Sequence, residues 1–283
     1  MIILKGTLGI NDFKKIILQG EPISMAEETL ETVADSFTFL KEFSENKIIY
    51  GVNTGFGPMA QYKIKDQQRI ALQYNLIRSH ASGSGKPIAP EYIKASLLAR
   101  LNTLSLGFSG IHPSAVDLMA TLINRNILPV IYEHGGVGAS GDLVQLAHVA
   151  LTLIGEGEVY YNGKLMSTSK VFQKEGLTPI SVELREGLAL MNGTSVMSGI
   201  GMVNTIRTRN LLHWMVQASS AINEIVQAYD DHLSEELNAS KKHKGQREIA
   251  EQMRQHLNDS KLTRKREHHL YNGNNEVSIF EEK

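Results

Sequence analysis

Residues 135–142 read Gly135-Gly136-Val137-Gly138-Ala139-Ser140-Gly141-Asp142, and this glycine-rich stretch decides between two folds and two chemistries. The spacing of Gly136, Gly138 and Gly141 matches a dinucleotide-binding fingerprint, with a strand-like run before it and a helix-like run after it. That interpretation requires a chain of alternating strands and helices, and the flanking sequence does not alternate in this way. A dinucleotide-binding oxidoreductase is therefore kept as a distant alternative.

Ala139-Ser140-Gly141 permits a second chemistry, in which the main chain closes a ring on itself. The amide nitrogen of Gly141 can attack the carbonyl carbon of Ala139. Loss of two waters, one of them from the Ser140 side chain, then gives the electrophile 4-methylideneimidazole-5-one (MIO). Small residues suit the closure because a Cβ on the third residue would crowd it, and glycine reaches strained backbone angles most cheaply. An isolated tripeptide of this kind is usually a plain turn, so the interpretation needs support elsewhere.

Four blocks of sequence, in the same order, resemble the histidine and aromatic amino acid ammonia-lyase family. They are residues 49–57, 75–85, 136–143 and 186–194. The resemblance covers essentially the whole chain and is closest to bacterial tyrosine ammonia-lyases. It implies an enzyme that removes ammonia from an amino acid without oxidation, through MIO formed from the chain and without any external cofactor.

The resemblance also implies a mostly α fold. We expect residues 1–194 to form a mixed N-terminal region that carries the ring, and residues 195–283 to begin a fumarase/aspartase-like central bundle of long helices. Family members are homotetramers whose active sites draw on several subunits. The sequence halts after a polar turn at 272–275, where family members continue. We therefore expect an N-terminal fragment that lacks the C-terminal part.

Composition excludes several other classes of protein. The 283 residues are 42% hydrophobic and 21% charged, with a formal net charge of −1, which predicts a globular protein without bulk attraction to nucleic acid or to a membrane. No apolar run has the length of a signal peptide or a membrane span, so a cytoplasmic location is expected. The chain has no cysteine, and its histidines show no paired ligand spacing, so no metal site is expected.

The resemblance assigns Tyr50 as the base that removes the β-proton of the substrate. A free phenol has a pKa of about 10, so the site must favour the phenolate through nearby donors or positive charge. Asn53 and Gly57 belong to the same block and are expected to shape a loop over the site, as asparagine and glycine commonly do in turns.

Further candidate residues lie beside the tripeptide and in the fourth block. They are Asp142, Leu143 and Asn192. Asn192 matches an asparagine that supports the ring and binds substrate, although Asn192-Gly193 is equally a turn sequence. Asp142 either orients the tripeptide during closure or caps the helix that begins at Leu143, and the two roles are compatible.

Ser79-His80 lies where the family selects the substrate side chain. In the family, Ser-His accompanies histidine, His-Leu tyrosine and Phe-Leu phenylalanine, whereas the overall resemblance favours tyrosine. We therefore expect L-tyrosine to give 4-coumarate, with L-histidine to urocanate as the alternative. A neutral His80 offers a donor and an acceptor to either ring. It could also simply bond the last carbonyls of its own helix.

The remaining patterns are mostly helical. A capping box, Ser24-x-x-Glu27, predicts a helix to about Phe43, and Asp66 is expected to cap another that runs to His80. Asn162-Gly163 predicts a β-hairpin. Further helices are predicted at 92–106, at 114–127 with Pro113 first, from Ser195 onward, and at 247–257.

Overall fold

The computed structural model of the chain describes residues 1–5, 7–45 and 47–265. The polar turn at 272–275 lies outside the described residues. The fold is mostly α-helical, which confirms the predicted class. The α-helices are α1 (Ile10–Phe13), α2 (Glu27–Ser44), α3 (Asp66–His80), α4 (Pro90–Leu104), α5 (Pro113–Asn124), α6 (Leu143–Leu153), α7 (Thr168–Glu175), α8 (Glu186–Met191), α9 (Ser195–Ile225), α10 (Glu235–Ala239) and α11 (Lys244–Leu257). Short π and 3₁₀ turns occupy Lys14–Leu18, Gly57–Met59 and Asp231–Leu233.

The strands are short and form three small sheets. They are β1 (Ile2–Leu4), β2 (Ile23–Met25), β3 (Ser84–Pro87), β4 (Leu128–Pro129), β5 (Tyr132–His134), β6 (Glu158–Tyr161) and β7 (Lys164–Ser167). β1 pairs with β2 in parallel, β3 pairs with β5 antiparallel, and β4, β6 and β7 form an antiparallel sheet in that order. β6 and β7 confirm the predicted hairpin, whose Asn162 and Gly163 have φ of +50° and +73°, as a two-residue turn with both angles positive requires.

This sheet topology contradicts the dinucleotide-binding alternative. The strand that leads into the glycine-rich stretch, β5, belongs to a two-stranded antiparallel sheet. Among the strands of the described residues, the parallel pairing is that of β1 with β2, which spans three residues on each strand, and the other parallel contacts are isolated bridges. A dinucleotide-binding unit needs a parallel sheet with a crossover helix.

Two predicted helix starts differ from the structure. Ser24 does not cap α2: it lies in β2, where it pairs with Ile3, and the N-cap position belongs to Ala26. The capping prediction for Ser24 is therefore wrong, because this residue pairs in a strand instead. Asp66 is the first residue of α3, and the N-cap is Lys65. Pro113 is the first residue of α5, as predicted.

The chain forms two compact units, Met1–Ile206 and Arg207–Lys283. The first has one large apolar core, to which α3, α4, α5, α6 and α8 contribute. The second has a small core of its own, centred on Val216, Leu233 and Met253. Along the described residues, no helix combines the length and apolarity needed to cross a bilayer.

Helices α3, α6 and α8 pack against one another and place the candidate site. A single β-bridge between Gly141 and Gly193 joins the start of α6 to the end of α8. β3 follows α3 and pairs with β5, which leads into the glycine-rich stretch. The end of α3, the start of α6 and the end of α8 therefore lie at one end of this helix cluster.

Candidate active site

The glycine-rich stretch forms an exposed loop between β5 and α6. Gly135, Gly138 and Gly141 have φ of +126°, +76° and +80°, angles that residues with a side chain rarely adopt. Ser140 lies on the surface of this loop. At Gly141 a Cβ would lie 2.2 Å from the carbonyl oxygen of Gly193, so both the backbone angle and the close approach require glycine. The tripeptide thus fits the requirement that the third residue of a cyclising segment has no side chain.

Asp142 ties this loop to the start of α9. Its N–H donates to the Gly193 carbonyl at 2.7 Å, and its Oδ2 accepts from the N–H groups of Val196 and Met197, both at 2.9 Å. The side chain makes no hydrogen bond to the first turn of α6. Asp142 thus occupies the N-cap position of α6, as predicted, but the prediction that its side chain caps this helix is wrong, because its carboxylate caps a helix that begins more than fifty residues later.

Arg100, on α4, is a buried cation in the same region that the sequence analysis missed. Its guanidinium donates to the Ala189 carbonyl, and a Cβ on Gly193 would lie 2.5 Å from its Nη1. Burial lowers the pKa of Arg100 to about 10, against the opposing attraction of Asp142. The guanidinium is thus still charged at neutral pH. The available signal was its spacing, three residues after Leu97 on the buried face of α4.

Tyr50 lies in a loop whose own residues form hydrogen bonds with one another. Its side chain is 47% exposed, and its phenol oxygen accepts a hydrogen bond from the Gly57 N–H at 3.1 Å. Asn53 is buried: its Oδ1 accepts from the Ile49 N–H at 2.8 Å, and its Nδ2 donates to the Lys47 carbonyl at 2.6 Å. Asn53 and Gly57 thus contact the loop that carries Tyr50.

The Tyr50 loop packs against two of the three helices that converge at the site. The Gly51 carbonyl accepts from Gln73 Nε2 of α3 at 3.1 Å, and a Cβ on Gly51 would lie 2.8 Å from Leu188 of α8. Leu188 precedes Asn192 by four residues, about 6 Å along the helix axis. Asn192 is the exposed C-cap of α8, and its N–H donates to the Leu188 carbonyl at 2.9 Å.

Ser79 and His80 form the last turn of α3. Ser79 Oγ donates to the Leu76 carbonyl at 3.1 Å, and His80 Nδ1 lies 2.9 Å from the same oxygen. A carbonyl only accepts, so Nδ1 carries the proton in this arrangement, and in the neutral ring Nε2 is an acceptor. The helix-terminal role and a ligand-binding role for His80 therefore use different nitrogens.

His148, on α6, contacts both the segment after α3 and strand β5, which leads into the glycine-rich loop. Its Nε2 accepts from the Gly83 N–H at 3.1 Å, and its ring meets Tyr132 of β5 edge-on at 5.3 Å. Burial lowers the pKa of His148, which favours the neutral ring that can accept this bond. Sequence analysis gave this histidine no role, because only the fold places it beside Gly83.

The fold therefore gathers the predicted segments without bonding the predicted side chains to one another. In the part of the chain that the structure describes, no hydrogen bond links the side chains of Tyr50, His80, Ser140 and Asn192 to each other. The described residues also include no group of three or more histidine, aspartate or glutamate side chains that could hold a metal ion.

Glu186 begins α8 and is a buried carboxyl group. It is 1% exposed, and its two oxygens accept from the N–H groups of His112, at 2.8 Å, and Glu183, at 2.7 Å. Burial raises the pKa of Glu186 from 4.5 to about 7, although both N–H donors favour the charged form. The helix that ends at Asn192 is thus held at its start by a group that titrates near neutral pH.

Glu186→Gln is expected to flatten the pH dependence of stability. As pH rises, Glu186 of the wild-type protein loses its proton at a lower pH in the unfolded chain than in the folded one. The free energy of unfolding should therefore fall by about 3 kcal/mol between pH of about 4.5 and about 7, and then level off. The variant should lack this fall and lose about 1–3 kcal/mol at low pH, because its amide NH₂ cannot accept an N–H. Urea unfolding across this pH range measures both effects. Glu31→Gln, at an exposed carboxyl of α2, is the control, and an unchanged slope in Glu186→Gln would contradict the assignment.

The mostly α fold and the exposed loop of Ala139, Ser140 and Gly141 agree with the family that the four sequence blocks resemble. The chain belongs to the aromatic amino acid lyase family, whose sequence model matches residues 8–276. It is 39% identical over 267 residues to a histidine ammonia-lyase of Bacillus anthracis, an alignment that covers 94% of this chain and 53% of the relative. The chain spans about half the length of the curated relatives it matches.

Solved structures agree with this assignment. A tyrosine aminomutase from Streptomyces globisporus superposes with a TM-score of 0.88 at 32% identity, covering 93% of this chain and 50% of the other. A histidine ammonia-lyase from Trypanosoma cruzi superposes with a TM-score of 0.82 at 31% identity, covering 89% and 49%.

Proposed function

We propose that the chain is part of an ammonia-lyase that acts on an amino acid with an aromatic side chain, through MIO formed from Ala139, Ser140 and Gly141. The observation that carries the proposal is the environment of Gly141. With φ of +80° and the Gly193 carbonyl where a Cβ would be, this position accepts only glycine, in the tripeptide where ring closure needs glycine.

Ring closure uses only atoms of the chain. A bond forms between Gly141 N and the carbonyl carbon of Ala139. The Ala139 oxygen leaves as water with the hydrogens of the Gly141 and Ser140 amides, which gives a C=N bond. A second water takes the Ser140 hydroxyl and the hydrogen on its Cα, which gives the exocyclic methylidene. Electrons balance without an oxidant or reductant, in keeping with a cofactor that the chain makes itself.

The chain's own residues have separate tasks in the elimination. MIO supplies an electron sink, the chemistry for which other enzymes bind a cofactor. Tyr50 is proposed to take the β-proton of the substrate: its oxygen is exposed, and the Gly57 N–H already donates to it. Asn192 is proposed to present its amide to the ring and the substrate from the end of α8.

Histidine is the substrate that the observations favour, which replaces the expectation of tyrosine. The curated relatives are histidine ammonia-lyases, and Ser79-His80 is the pair that the family associates with histidine. With Nδ1 of His80 bonded to the Leu76 carbonyl, its Nε2 can accept the N–H of a substrate imidazole. A phenol hydroxyl could donate to the same nitrogen, so tyrosine is the second candidate.

A homotetramer is proposed as the working form. Ser140, Asn192 and nearly half of Tyr50 are exposed in the single chain, whereas elimination chemistry benefits from a site closed to water. Neighbouring subunits would supply that cover. Light scattering on the protein expressed from its complete gene measures the assembly.

Ser140→Ala provides the direct test of the ring. The protein from the complete gene is expected to be lighter by two waters than its sequence, by intact mass. The Ser140→Ala variant cannot lose the second water as a methylidene, so it should lack both that mass change and ammonia release. Ser82→Ala, at an exposed serine of the loop after α3, should behave as wild type. A wild-type mass equal to that of the unmodified sequence would contradict the proposal.

Substrate choice needs a separate comparison. Ammonia release from histidine, tyrosine and phenylalanine should be measured on the mature protein, and histidine should give the highest kcat/KM. A higher value with tyrosine would restore the interpretation that the overall resemblance first suggested, while leaving the ring untouched.

A further inference from the structure

Arg100 is a buried cation to which the proposed elimination gives no role. Its side chain is 3% exposed, and its Nε has no hydrogen-bond partner among the described residues. Burying a guanidinium is costly unless opposite charge and hydrogen bonds compensate it. A hydrophobic side chain would fill this part of α4 without that cost, so the charge calls for a role beyond packing.

The contacts of Arg100 converge on the junction between the glycine-rich loop and the end of α8. Its guanidinium donates to the Ala189 carbonyl near the end of α8, and its Nη1 lies 2.5 Å from the position that a Cβ on Gly193 would take. The carboxylate of Asp142 attracts it across this junction. Asp142 in turn donates its N–H to the Gly193 carbonyl, the atom against which Gly141 lies. Arg100 therefore lies against Gly193 on one side of the Gly141–Gly193 contact and attracts Asp142 on the other side.

We propose that Arg100 is a positioning residue for ring closure. By holding the Gly193 turn and Asp142 together, it keeps Gly141 in the bent conformation from which its nitrogen can reach the Ala139 carbonyl carbon. The inference rests on the proposed function. Closure is an intramolecular attack, and a misplacement of about 1 Å can slow such a step about a hundredfold. The planar fork of arginine can bond a carbonyl and face a carboxylate together, whereas a lysine ammonium is a point charge.

A buried lysine on the same helix supplies a matched control. Lys94 is 8% exposed and donates to Asn126 Oδ1 at 2.6 Å, and burial lowers its pKa as it does that of Arg100. Lys94→Met and Arg100→Met each remove a buried charge from α4. Both should therefore reduce stability, but only the second removes a guanidinium that lies against Gly193 and attracts Asp142.

The experiment follows ring formation over time in protein translated from the complete gene. Intact mass gives the fraction lighter by two waters, and the near-ultraviolet absorbance of the conjugated ring gives an independent reading. Wild type and Lys94→Met should mature at similar rates. Arg100→Met should mature about a hundredfold more slowly, and Arg100→Lys at an intermediate rate. Circular dichroism and the unfolding midpoint identify the folded fraction of each variant.

The outcomes separate this inference from the proposed function. If wild type matures and folded Arg100→Met matures within about threefold of Lys94→Met, the positioning role is wrong while the ring stands. If Arg100→Met does not fold, Arg100→Lys decides: a rate equal to that of Lys94→Met overturns the role, and a clearly slower rate supports it. If wild type itself never becomes lighter, the proposed function fails and this inference fails with it.

Discussion

Gly141→Ala is expected to abolish ring formation and to lower ammonia release at least about a hundredfold. The alanine Cβ would lie 2.2 Å from the Gly193 carbonyl oxygen, a backbone atom that cannot move without shifting the end of α8. It would also force a non-glycine residue to φ of +80°. The Asp142 N–H bond to Gly193 would be lost as the two segments separate. Strain and steric conflict together should cost about 3 kcal/mol of stability.

Gly138→Ala separates these two causes. Gly138 lies in the same loop with φ of +76°, but a Cβ there would meet nothing within 4 Å. It should lose only about 1 kcal/mol, the cost of the backbone angle, and its ring should still form. Intact mass and urea unfolding on both variants make the comparison. Equal behaviour of the two variants would show that backbone angle alone matters, and that the Gly193 contact does not define the site.

Sequence analysis predicted several local features of this chain because their signals are local. The glycine-rich loop, the Tyr50 block and the Asn162-Gly163 hairpin each depend on residues within about ten positions, where backbone sterics decide the conformation. Ser79 and His80 also end α3, where the sequence pattern predicted that this helix would end. Local rules therefore sufficed to name the segments that the fold gathers.

Contacts distant in sequence could not be read in the same way. The carboxylate of Asp142 caps α9 across more than fifty residues, although local rules assigned it to the adjacent helix. Ser24 pairs with Ile3 in a strand despite a favourable capping pattern. Arg100 and His148 gain their roles only from the residues that tertiary packing places beside them. Local propensity is a weak prior, and long-range pairing overrides it.

Tyr50→Phe is expected to lower kcat by about 10²–10⁴-fold, the range that a positioned general base contributes. The phenol oxygen is the proposed acceptor of the β-proton, and phenylalanine removes it while keeping the ring against Phe56. Stability should change by less than about 0.5 kcal/mol, because the side chain is half-exposed and water can replace its bond to Gly57. The mass should remain lighter by two waters, since Tyr50 is outside the tripeptide.

Two comparisons distinguish a lost base from a disturbed loop. Deuterium at the β-carbon of the substrate should slow Tyr50→Phe more than wild type, because proton removal becomes rate-limiting. Tyr62→Phe, at an exposed tyrosine whose carbonyl accepts from Gly55 in the same loop, should retain wild-type kinetics. A Tyr50→Phe enzyme that kept most of kcat would place the base on another residue, because the phenol hydroxyl is the only group that this substitution removes.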